Sequence, residues 1–120
     1  MLRIENAKRE EIRRREIEER RLAEIRRLVE AEELQRRQEL IQQAVEWDTA
    51  AKIRSYLKDC METFEGLPMD DTKREKIADW IRWGSTNADL IDPIKNGAQS
   101  DLMERSLNPP EAVIDEFHDR

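Results

Sequence analysis

A chain of 120 residues supports one small domain with extensions and no more. Charged residues make up 42% of it, the formal net charge is −6, and only three glycines and four prolines occur. Little apolar surface is left for a core, and the composition is that of long helices and coiled coils. No run of ~18 apolar residues offers a membrane span. The N-terminus is charged from Arg3 on, unlike a secretory leader, and the single cysteine, Cys60, allows no intrachain disulfide. The expected location is the cytoplasm.

Residues 1–40 hold 12 basic and 11 acidic side chains, against 10 basic and 17 acidic in the remaining 80. The acidity is therefore downstream, where phosphates would be repelled.

Residues 1–40 read as a charged helical arm. Glu precedes Arg by four residues six times: Glu5–Arg9, Glu10–Arg14, Glu11–Arg15, Glu16–Arg20, Glu32–Arg36 and Glu33–Arg37. Each such pair supports an exposed helix by roughly 0.2–0.5 kcal/mol. A strict heptad of apolar residues is missing. An eleven-residue line, Ile12, Ala23, Leu34, Val45 and Tyr56, runs instead, with a period near that of a straight helix. On a helical wheel Leu22, Ala23, Val29, Leu34, Leu40, Ile41, Ala44 and Val45 share one apolar face, a candidate surface for self-association or for a protein partner. The Arg clusters make nucleic acid possible, but interleaved Glu and the lack of aromatic residues do not favour it.

Residues 41–95 read as a helical hairpin, with helices over about 41–65 and 72–91. Between Trp47 and Ala50 the apolar line turns by about half a turn, from the arm's face to Ala50, Ile53, Leu57, Met61 and Phe64. Glu65-Gly66-Leu67-Pro68 ends the first helix, with Gly66 suited to a left-handed cap and Pro68 blocking continuation. Thr72 with Glu75 has the capping-box pattern for the second. Ile77, Trp80, Ile81 and Ile91 then face Ile53, Leu57, Met61 and Phe64, and the small Gly84 and Ala88 allow close approach. Asp92-Pro93 stops the second helix. Trp47 and Trp83 have two placements open to them, rim packing or an exposed aromatic patch for a partner. Arg54 is placed to pair with Asp89 or Asp92 across the hairpin. Cys60, on the face of Leu57 and Phe64, reads as a small buried hydrophobe.

Residues 96–120 read as a short helix and tail. Asn96-Gly97 marks a turn, and Ser100 is a candidate cap for a helix through Leu102, Met103 and Leu107. Asn108-Pro109-Pro110 breaks it, and residues 111–117 form a last short helix with Val113, Ile114 and Phe117 able to dock. His118, the only histidine, has no second nitrogen or thiolate ligand near it in sequence and reads as solvated. The expectation is an all-α fold: a long charged N-terminal helix running into an antiparallel hairpin, with short C-terminal helices.

Two motifs carry a resemblance. Trp47, Ala50, Ile53, Arg54 and Tyr56 resemble the W-x-x-A-x-x-I-R-x-Y motif of a family of uncharacterised bacterial proteins associated with plasmids and other mobile DNA. Trp80, Trp83, Ala88, Asp89, Ile91, Asp92 and Pro93 are similar to its second motif, with Gly84 where alanine is usual. Pro109, Pro110, Ile114 and Asp115 are similar to its closing step. The resemblance covers residues 10–116 or so and implies a tail module. The helix-turn-helix-like domain that the family carries ahead of its arm has no counterpart in these residues. It assigns no role to any position.

No paired carboxylates, nucleophile with base, phosphate loop or metal cluster is legible, so the expectation is a non-enzymatic interaction module without cofactor or metal. Its expected partner is itself, as a homo-oligomer, or another protein. The alternative is an accessory DNA-binding protein of a mobile element, using Arg13–Arg37.

Overall fold

The computed structural model describes residues 2–108 and is all-α. The order is α1 (Leu2–Glu65), α2 (Asp71–Ile91) and α3 (Ala98–Leu107). Contacts divide the chain into two units, one of residues 37–108 and one that includes residues 1–36. The unit boundary places α3 with the hairpin. The last helix expected over 111–117, and His118, lie outside the described residues.

Within residues 1–36 the covered positions of α1 are Leu22, Ile25, Val29, Glu32 and Arg36, spaced 3, 4, 3 and 4. Ile25 is 5% exposed and the rest of this row half-buried. The eleven-residue line is not the covered one, because Ile12, Ala23 and Leu34 are all exposed. Glu–Arg pairs line the helix, with Arg15 donating to Glu11 at 2.7 Å and Arg14 lying 3.9 Å from Glu10. Others form at a spacing of three, Glu18–Arg21 at 3.6 Å, Glu24–Arg27 and Glu33–Arg36, so Glu33 reaches Arg36 in place of the expected Arg37.

In residues 37–108 the covered row of α1 is Glu39, Gln43, Glu46, Ala50, Ile53, Leu57, Cys60 and Phe64, spaced alternately 4 and 3. This corrects the expected half-turn of the buried face. The row stays in place along the helix and changes chemistry, polar where α3 lies and apolar where α2 lies. Gln43 Nε2 donates to the Ala98 carbonyl at 3.0 Å. Arg105 reaches both carboxylate oxygens of Glu39, at 3.2 and 2.5 Å. The apolar residues beside this polar stretch, Leu40, Ile41 and Val45, are exposed.

The α1–α2 turn is closed by Leu67 N–H to the Phe64 carbonyl at 3.1 Å. Gly66 does not adopt the left-handed conformation expected of it, and Gly97 is the positive-φ glycine among the described residues. Pro68 already ends α1 without help from a left-handed cap. The N-cap of α2 is Asp70 rather than Thr72, its carboxylate accepting from Lys73 N–H at 2.8 Å. The helix therefore starts at Asp71, one residue before the Thr72–Glu75 pattern suggested.

α2 packs on α1 through Ile77, Ile81, Gly84, Ala88 and Ile91, of which Gly84 and Ala88 are buried. A methyl on Gly84 would fall 2.8 and 2.9 Å from the two Cδ atoms of Leu57. The hairpin is tightest there. Two expected core residues do not belong to this contact: Met61 is 43% and Trp80 42% exposed. Trp80 precedes Ile81 by one position, and that ~100° step carries it to the edge of α2. Met61 follows the covered Cys60 in the same way on α1.

The Leu57–Gly84 contact generates a prediction. Gly84→Val lowers unfolding free energy by about 2–3 kcal/mol through overpacking. Leu57→Ala costs about 2–4 kcal/mol. The two together cost at least about 1 kcal/mol less than their sum, because each relieves the other. Gly66→Ala, whose added methyl meets only the Thr63 carbonyl at 3.7 Å, stays within about 0.5 kcal/mol of the parent. Urea unfolding followed by far-ultraviolet circular dichroism measures all four.

Candidate functional site

The polar centre of the 37–108 unit is the carboxylate of Asp92, buried at the C-cap of α2. Pro93 holds Asp92 in an extended conformation, ψ 115°, which turns the chain out of the helix. Its backbone N–H still reaches Ala88 O at 2.9 Å. One side-chain oxygen, Oδ2, accepts from Arg54 Nη1 of α1 at 2.8 Å, and the other accepts from Ile94 N–H at 2.9 Å. Arg54 Nη2 also donates to Asp89 at 2.8 Å. Arg54 thus pairs with both of its expected partners.

Around this pair the α2–α3 connection satisfies its own backbone. Asn96 Nδ2 donates to Leu90 O at 2.8 Å, and its Oδ1 accepts from Ala98 N–H at 2.9 Å. Asn96 N–H reaches Asp92 O and Gln99 N–H reaches Pro93 O, both at 2.9 Å. Gly97 caps α3 with φ 89°, a conformation open to glycine. The expected Ser100 cap is displaced, because Asn96-Gly97 already starts the helix at Ala98. Leu102 is the buried anchor of α3, while Met103 and Leu107 are exposed.

The ion pair shifts its members. Hydrogen bonds to Asp89 and then Asp92 hold the Arg54 guanidinium above its ordinary value. The hydrogen bond from Arg54 holds the Asp92 carboxyl below the usual carboxylate range, against the opposing effect of desolvation. This constellation ties α1 to α2 and to the start of the α2–α3 connection.

The two lateral sides of the hairpin differ. On the Arg54 side, Met61, Phe64, Met69, Ile77, Ala78 and Ile81 line a mostly apolar groove of about 320 Å³, rimmed by Glu65, Arg74 and Arg82. Arg82 is bound to Asp79, and Arg74 Nε donates to the Met69 carbonyl at 3.4 Å. The opposite side carries Tyr56 and Cys60 of α1 with Trp80, Trp83 and Asn87 of α2. The Tyr56 phenol lies beside the Cys60 thiol, and their hydrogen bond raises it above its usual range.

Of the expected interface residues, Trp47, Trp83, Leu34, Leu40, Ile41 and Val45 are exposed, while Leu22 and Val29 are half-buried. Trp47 and Trp83 do not form one patch. Trp83 adjoins Gly84 at the level of Leu57, and Trp47 lies ten residues up α1, about 15 Å away and on the Arg54 side. Of the expected core, Ile53, Phe64, Ile77, Ile81 and Ile91 are half-buried and Leu57 is buried. Tyr56, Trp80 and Leu90 are exposed as well. Their positions one step off the buried rows were the available signal.

Among the described residues no three His, Cys, Asp or Glu side chains gather as a metal site, and no helix is long and apolar enough to cross a membrane. No family model, curated protein or solved structure matches the chain.

Because Asp92 is a stronger acid folded than unfolded, the stability it contributes is full above the unfolded carboxyl range near about pH 4. It is lost as pH falls through the lower folded value. Asp92→Asn, which keeps an acceptor for Ile94 N–H, is expected to lower the thermal midpoint at neutral pH. It also flattens the decline between about pH 4 and pH 2 relative to the parent. Thermal midpoints across that range measure the difference.

Proposed function

We propose that this chain is a non-enzymatic helical interaction module that works by associating with itself or with another protein. The observation that carries the reading is where its aromatic residues stand. All three tryptophans and Tyr56 are exposed, in a small unit that has few large side chains with which to build a core. Trp and Tyr dominate the energetics of protein interfaces because they bury much area at low entropic cost. The polar constellation around Asp92 is absorbed in holding helices together, which supports a binding role over a chemical one.

The arm supports protein contact over nucleic-acid contact. Arg14, Arg15, Arg21, Arg27 and Arg36 each lie against a Glu of the same helix, so phosphate would have to displace a carboxylate at each. The resemblance to tails of mobile-DNA-associated bacterial proteins fits a module that joins such transactions through protein contacts.

Light scattering on the full chain is expected to give a mass that rises above the monomer with concentration, or a monomer that a specific protein partner converts to a complex. A chain that stays monomeric and binds no candidate partner refutes the reading. Retardation of duplex DNA is expected to be absent at about 50 mM salt. A shift that weakens steeply with added salt, and is lost when Arg13, Arg14 and Arg15 become Ala, favours the DNA-binding alternative.

A further inference from the structure

Two independent features fix which edges of α1 and α2 share a side of the hairpin. Arg54 bonds Asp89 and Asp92, and Met61 and Phe64 share a groove with Arg74, Ala78 and Arg82. Both mark the same side. On α1, Tyr56 and Cys60 fall across the buried row from Arg54 and Met61. On α2, Trp80, Trp83, Asn87 and Leu90 fall across the buried row from Arg74 and Asp89. The other side of the hairpin is therefore built from Tyr56, Trp80, Trp83 and Leu90. The Leu57–Gly84 contact brings Tyr56 level with Trp83 and Asn87.

Trp83 is 64%, Tyr56 63% and Leu90 66% exposed. From Trp80 to Leu90 this edge carries no charge, and Lys76 opens the same row one turn earlier. The charged residues of the same stretch are engaged elsewhere, Asp79 with Arg82 and Asp89 with Arg54. The row Trp80, Trp83, Asn87, Leu90 is spaced 3, 4, 3, which reads the same in both directions.

We infer that this face docks a second copy of the chain, α2 against α2, antiparallel about a two-fold axis between Trp83 and Asn87. This rests on the interaction-module reading and specifies its surface and partner. A two-fold interface presents the same patch from both copies, and the symmetric spacing of the row lets it meet itself in antiparallel register. Trp80 lies opposite the partner's Leu90, and Trp83 opposite the partner's Asn87. Asn87 Nδ2 is held by the Trp83 carbonyl at 2.8 Å, which leaves Oδ1 to accept the indole N–H of the partner's Trp83. That gives the indole the acceptor it needs when buried. The four large residues together expose about 500 Å² per copy, so their complete burial in both copies would cover about 1,000 Å², the least that a specific interface needs.

Sedimentation equilibrium of the full chain tests this, with circular dichroism as the folding control for each variant. The parent is expected to show a reversible monomer–dimer equilibrium. Trp83→Lys with Leu90→Lys, both at exposed positions, is expected to raise the dissociation constant about 30-fold or more. Ile41→Lys with Val45→Lys, on the other exposed apolar face, leaves it unchanged. If the α2 variant dimerises like the parent and the α1 variant does not, this face is overturned while the interaction reading stands. If the parent is monomeric throughout, the second copy is overturned as occupant; binding of a different protein then keeps the broader reading, and its absence removes both.

Discussion

One carboxylate, that of Asp92, holds the 37–108 unit in its arrangement. It stands where α2 must stop, because proline follows it, and it faces α1 because α2 runs back along that helix. One oxygen takes the guanidinium of Arg54 and the other takes the backbone N–H of Ile94. The same group therefore ends one helix, fixes the register of two and orients the departure of a third. A buried carboxylate is costly unless its lone pairs are used, and here both oxygens are.

Packing then follows from size more than from hydrophobicity. Gly84 and Ala88 lower the profile of α2 opposite Leu57, and the helices close up at that level. Away from it the contact loosens, and residues one step off the buried rows emerge at the surface. The strip that two helices cover is narrow, so four of the five aromatic residues of the unit, Trp47, Tyr56, Trp80 and Trp83, stand beside the core and Phe64 alone is half-buried. The surface so produced differs on the two sides of the hairpin, one ionic and grooved, the other aromatic beyond Lys76.

Much of the fold was legible in the sequence where composition and local chemistry speak directly. The all-α class, the hairpin, the stop at Asp92-Pro93 and the Arg54 pairs belong here. The caps were less legible because neighbouring polar residues compete for one job: Asp70 takes it from Thr72, and Asn96-Gly97 from Ser100. The covered row of α1 was least legible. Its upstream members are Glu39, Gln43 and Glu46, which a search for apolar periodicity passes over in favour of Leu40, Ile41 and Val45. Trp80 and Met61 were misplaced for a related reason. A wheel drawn for an ideal helix grants an apolar face wider than one neighbouring helix can cover.

The polar attachment of α3 has a dynamic consequence. This helix bonds α1 through the Gln43–Ala98 hydrogen bond and the Arg105–Glu39 pair, with Leu102 as its buried residue, whereas α2 is fixed by a row of apolar contacts and by the pair between Arg54 and the buried Asp92. Such an element belongs to the low end of the spectrum of local opening free energies. α3 is therefore expected to open from α1 more readily than α2 does, freeing Glu39 and Gln43. The turn that Asp92 and Asn96 secure divides a helical pair packed through apolar residues from a helix held by polar bonds.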